Sequence, residues 1–256
     1  MDERQRALDY ASKRAKALRN MEQHIQGILF PIAKQIVEKS SKYRRAGKLS
    51  NERAFLSDAK AIAAENSHIL EDYTRAYALA SCKFLGIDNK NIAKFLDGDI
   101  HGKTILERFD TYMDNFAEDI VRMVKAGSLM GYTDSKILSA VRTGYKDPYS
   151  VSVITKAQRK DINIATPSYG QGFFHNAYDN IVRNAKQTIS LSWGMAEQQY
   201  GKEKGAIGFK VFRGSSYPCA ICDDECAYTH TLRDPYPPFH VNCVCWTQFV
   251  YKKESD

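Results

Sequence analysis

The sequence has no apolar run approaching the roughly 20 residues that a membrane span requires. Its opening, MDERQRALDY, is charged and lacks the apolar stretch of a secretory signal. Neither a membrane protein nor a conventionally secreted one is expected. Also missing are a GxxxxGKS/T phosphate loop, a GxGxxG after a strand, HExxH and GxSxG. None of the six histidines is followed two residues later by the proton-shuttling glutamate of the zinc deaminases. There is no internal repeat and no low-complexity tract. The chain therefore reads as non-enzymatic, with no catalytic residue and no organic-cofactor site.

What is present is ordinary globular material. The 256 residues are 43% hydrophobic and 26% charged, enough for one large domain or two modest ones with a real core. Charge is unevenly spread. Residues 1–60 hold 14 Lys/Arg against 7 Asp/Glu, so this stretch alone accounts for the net charge of +7. A basic arm beside a neutral body suits an acidic partner, nucleic acid or protein, although a solvated helix face gives the same count.

Hydrophobic spacing points to a mostly α fold. Leu8, Ala11, Ala15, Leu18, Met21, Ile25, Leu29, Ile32 and Ile36 recur every three or four residues, with Arg6, Lys13, Arg14, Lys16 and Arg19 expected on the outer face. Pro31 is expected to kink or divide this helix. A basic turn at 40–51 follows, then helices at 52–84 (capped by Ser50 or Asn51, closed by Gly86), 89–97, 104–126 and 133–142. The pattern weakens over 146–171, around Pro148, Pro167 and Gly170. A strong helix returns at 172–201, with Phe174, Tyr178, Ile181, Ala185, Ile189, Trp193, Ala196 and Tyr200 as a core stripe. After GKEKG, residues 207–213 and 244–251 read as strands. The division expected is a basic helical arm at 1–50, a helical body at 51–165 and a C-terminal module at 166–256, in which a long helix leads into a small α+β unit.

So small an α+β unit usually needs a staple, and cysteine supplies one. Cys82 sits in an apparent helix and reads as a buried core residue. The other five, Cys219, Cys222, Cys226, Cys243 and Cys245, fall within 27 residues. Cys219-x-x-Cys222 followed by His240-x-x-Cys243-x-Cys245 is zinc-ligand spacing, because two thiolates from one turn and a second pair from across the module complete a tetrahedron. Cys219, Cys222, His240 and Cys243 are the first choice of ligands, with Cys245 close behind as the alternative for the last place. Cys226 and His230 are weaker candidates, and a reduced cluster or a set of disulfides is the alternative. A closed four-ligand site would make the zinc structural. A thioredoxin-like role fits poorly, since this CxxC reads as entering an Asp- and Pro-rich loop rather than a helix of a βαβ unit. Glu118/Asp119 and Asp223/Asp224/Glu225 read as solvated acidic surface.

The strand ending VFRGSSYPCAIC and the closing PPFHVNCVCWTQFV resemble the C-terminal domain of phage Mu F-like minor head proteins, also called phage head morphogenesis proteins. The likeness covers roughly 165–250, with Thr166, Asn176 and Asn180 matching the usual lead-in helix. This chain has Val244 where that family commonly has arginine, and it carries the extra Cys226.

The resemblance implies a minor structural component of a tailed-phage head, associated with the portal and located in the virion after assembly in the host cytoplasm. Portal and other head proteins are the implied partners. Packaged DNA, gripped through the basic N-terminal helices, is a further one that the charge suggests. The alternatives are a toxin-like enzyme of phage or prophage origin, or a DNA-binding protein with a structural zinc. Some members of that family carry an added toxin domain, but this chain ends about six residues past its closing strand, so none is expected after the module.

Overall fold

The computed structural model describes residues 2–99, 102–146 and 177–252. The protein is mostly helical with a small C-terminal sheet. In chain order come α1 (Glu3–Lys39), a 3₁₀ turn (Ser40–Tyr43), a hairpin of β1 (Arg44–Arg45) and β2 (Lys48–Leu49), α2 (Glu52–Ala64), α3 (Ser67–Leu85), α4 (Lys90–Asp97), α5 (Ile105–Leu129) and α6 (Asp134–Lys146). Then follow α7 (Ala177–Glu203), β3 (Gly208–Phe212), α8 (Ala220–Glu225), β4 (Thr229–Thr231) and β5 (Trp246–Val250). Of the connection expected over 146–171, Lys146 ends α6, and the rest, with Pro148, Pro167 and Gly170, lies outside the described residues, as do His101, Thr166, Phe174, His175 and Asn176.

Several elements form for local reasons. The Ala54 amide donates to the Asn51 side chain at the head of α2. Gly86 closes α3 at φ +66°, where the Ile87 amide reaches the Cys82 carbonyl, the bond of a left-handed helix end. Ala46 and Gly47 both take positive φ, as a two-residue hairpin turn demands.

Several expectations need correction. The 52–84 run is two helices, interrupted at Glu65 and Asn66. The Asn66 amide group donates to the Ile62 carbonyl, a local side-chain bond that competes with helix continuation. Pro31 does not divide α1. Ile25, Leu29, Ile32, Ala33, Ile36 and Val37 are buried on both sides of it, and that packing outweighs the loss of about 3 kcal/mol from an interior proline. The first half of α1 presents a different face from the one expected. Ala7, Tyr10, Arg14 and Ala17 are buried with Arg6, whereas Leu8 and Ala15 are exposed.

The chain groups into two compact units, each assembled from separated stretches. One contains residues 1–23, 72–105 and 183–256; the other contains 24–71 and 106–182. In the second unit Phe55, Phe109, Phe116, Ile120 and Ile137 are fully buried core. There Asp119, expected on the surface, is buried and its carboxylate accepts the Ala177 amide at 3.1 Å, capping the start of α7. Its neighbour Glu118 pairs with Lys60 at 2.9 Å and with Arg122 at 3.3 Å.

In the first unit β3 is the central strand of an antiparallel sheet of order β4-β3-β5. Phe209 lies opposite His230 on one side and Phe249 on the other, and Phe212 stacks on Trp246. The core beneath the sheet consists of Ala206, Phe209, Val211, Phe249 and three cysteines, Cys222, Cys243 and Cys245.

Candidate metal centre

Two short segments bring the cysteines together. Cys219 takes an extended conformation (φ −154°) as the residue that begins α8, and Cys222 follows within the helix's first turn. The CxxC pair therefore opens a short helix rather than a loop. Because the sheet is antiparallel throughout, this is still not a βαβ redox site.

The second segment turns at 240–243, where the Cys243 amide donates to the His240 carbonyl at 3.1 Å. Asn242 occupies the left-handed region there at φ +63°, a conformation asparagine tolerates better than most residues. Cys245 directly precedes β5.

The ligand atoms form two triads that share Cys222: Cys219, Cys222 and His240, and Cys222, Cys243 and Cys245. Within each triad these atoms lie within 4.8 Å of one another. His240 Nε2 stands 3.3 Å from the Cys219 sulfur and 3.0 Å from that of Cys222, which is 4.0 Å from Cys243 Sγ. His240 Nδ1 lies 2.8 Å from the Val241 carbonyl. A carbonyl only accepts, so Nδ1 carries the proton and Nε2 turns its lone pair toward the two thiols. A histidine that holds a metal through Nε2 needs this tautomer.

The thiols differ in their readiness to ionise. A hydrogen bond from Cys245 and the backbone groups of Phe239 and Cys245 pull Cys243 well below the ordinary thiol range. Cys245, which donates to it, is pushed up correspondingly, and burial raises Cys222. A cation among them would convert the whole set to thiolates.

All five residues expected to hold the metal are thus gathered in one place: Cys219, Cys222, His240, Cys243 and Cys245. Thiolate and imidazole nitrogen are a soft donor set suited to a zinc-type ion. Cys226 packs against the same core, and burial raises its thiol. His230 is elsewhere. It is buried in β4, stacked on Phe209 with ring centroids 4.7 Å apart, and its Nε2 donates to the Glu225 carbonyl at 2.8 Å. It serves the sheet.

Arg213, at the end of β3, clasps the CxxC segment by donating to the Asp223 carboxylate and the Tyr217 carbonyl. Asp223 itself is exposed, as expected of the acidic run.

The residues that sequence reasoning missed lie at the other end of the chain. Arg6 is ion-paired to Glu3 at 2.9 Å and to Glu197 at 3.1 Å, and its guanidinium faces the rings of Tyr200 and Phe249. Glu3 accepts the Phe249 amide of β5 at 3.0 Å. The Tyr10 hydroxyl donates to the Trp193 carbonyl at 2.6 Å, and Arg14 donates to the Cys245 carbonyl at 2.5 Å. Stepping back along α1 from Met21 at helical spacing passes through Ala17, Arg14, Tyr10 and Ala7. That continuity was the available signal.

Comparison of the chain with protein-family models, with curated proteins and with solved structures returns no match.

Proposed function

We propose that this chain is a non-enzymatic minor head protein of a tailed phage, a morphogenesis component docked at the portal, whose C-terminal module is stapled by a structural zinc ion. The observation that carries the reading is the convergence of Cys219, Cys222, His240, Cys243 and Cys245 on an antiparallel sheet entered from a long helix. That is the arrangement the resemblance of 165–250 leads one to expect. Cys219, Cys222 and His240 would hold the zinc together with one thiolate of the Cys243/Cys245 pair. Four protein ligands leave no position for water or substrate, so the ion contributes folding energy rather than chemistry.

Elemental and native mass spectrometry of protein purified without added zinc test the staple, and one zinc per chain is expected. Incorporation tests the role. The protein should be found in procapsids that contain the portal encoded by the same genome and be lost from portal-less particles. Equal recovery from both would overturn the portal assignment.

Contact with packaged DNA is the second reading. Arg6 and Arg14 are committed to internal partners, but Lys13, Lys16 and Arg19 stand exposed along α1 at spacings of three. Backbone phosphate could be held there without sequence readout.

A further inference from the structure

We infer that Arg14 is a positioning residue for the metal centre: by holding the Cys245 carbonyl, it sets the backbone that presents Cys243 and Cys245 to the ion. This rests on the metal reading above and goes beyond it, because Arg14 lies 231 positions away in the chain.

Burial is the first argument. Arg14 is only 4% exposed, on the stripe of α1 otherwise occupied by Ala7, Tyr10, Ala17 and Met21. An apolar residue there would avoid the large cost of desolvating a guanidinium, so the position needs a reason. Its hydrogen bond supplies one, running at 2.5 Å to the carbonyl of a residue that is itself 2% exposed.

The second argument concerns what that carbonyl belongs to. Residues 240–245 form no helix or strand, and Val241 and Val244 on this stretch are exposed. The turn is closed by one backbone bond, from the Cys243 amide to His240. Beyond it, the strand begins only at Trp246. Arg14 therefore fixes the peptide plane where the irregular, thiol-bearing segment joins the regular sheet.

Electrostatics leaves geometry as the main effect. Arg6 and Arg14 are accompanied by Glu3 and Glu197, two cations against two anions, so the group as a whole carries no net charge. The role resembles that of an outer-shell partner, whose loss typically lowers metal affinity 10- to 100-fold.

The test uses the full-length protein with R14M and R14K. Zinc affinity is measured by competition with a chromophoric chelator, and ligand geometry by the visible bands of the cobalt-substituted protein. R14M is expected to bind zinc roughly 10- to 100-fold more weakly and to show altered cobalt bands. R14K, which keeps one donor and the charge, should recover part of both. An R14M protein with wild-type affinity and wild-type bands overturns the inference, whatever its melting temperature.

Should R14M fail to fold, hydrogen exchange on the wild type decides. Stripping zinc must speed exchange of the amides in residues 3–21, because coupling between two sites is reciprocal. Unchanged exchange there overturns the inference equally. A wild-type protein that takes up neither zinc nor cobalt defeats the metal reading itself, and this inference with it.

Discussion

At the scale of single residues, the buried charges of the first unit matter most. Glu197 is 2% exposed, and burial pushes its carboxyl above the ordinary range against the pull of Arg6 and Arg14. Arg6 is held more firmly cationic by Glu3 and Glu197, despite burial acting the other way. Arginine does not release its proton in the accessible range, so the pH response of the pair belongs to Glu197. With a raised folded-state pKa, the folded chain keeps this proton to higher pH than the unfolded chain does. The stabilisation from this group is complete below the unfolded carboxylate value and is lost as pH rises through the folded one. Melting temperatures of zinc-saturated wild type and E197Q, compared across that window, should differ by this decline, which E197Q lacks. Removing the partner outright is harsher. E197A leaves a buried guanidinium with Glu3 alone and should cost about 3 kcal/mol in chemical denaturation.

At the scale of elements, close approach between α7 and the C-terminal loop is the deciding feature. A Cβ on Gly194 would run into the Pro237 carbonyl oxygen, and one on Gly201 into the Phe249 ring. Helix propensity alone favours alanine over glycine by about 1 kcal/mol. The backbone obstruction at Gly194 reverses that sign, because a carbonyl cannot swing aside as a flexible side chain can. G194A should therefore lower stability by about 1–3 kcal/mol. G201A should cost less, since an aromatic side chain can yield further than backbone. A G194A protein more stable than wild type in thermal melts would show that the loop at 237 is free to withdraw.

At the scale of the whole molecule, the question is whether packing alone can hold the C-terminal module. The core of the C-terminal module contains three buried cysteines among its seven residues, and so small a core is marginal without a staple. The Cys219→Ser variant, or chelation of the wild type, should make 207–250 sensitive to protease while far-UV circular dichroism keeps most of its helical signal. Retained protease resistance in the metal-free protein would mean that packing alone holds the module. Charge acts at the same scale. Reversing Lys13, Lys16 and Arg19 to glutamate should abolish any salt-dependent affinity for duplex DNA. An affinity that persists through that change, or one that is flat with salt, would move nucleic-acid contact away from α1.

Much of this protein was determined by the sequence alone. The long helices follow from apolar residues at 3.6-residue spacing, which needs no knowledge of what they pack against. The metal candidates follow from CxxC and HxxCxC, because those spacings create a convergent turn locally. The identity of the buried face on the first half of α1 could not be read in the same way. Arg6 and Arg14 look like solvent-facing cations until Glu197 and the Cys245 carbonyl, more than 190 positions away, are brought against them. The same is true of Asp119, whose role as a cap exists only once α7 begins beside it. Whether a charged residue faces water or a buried partner depends on contacts distant in sequence, and tertiary structure alone decides which acceptors arrive.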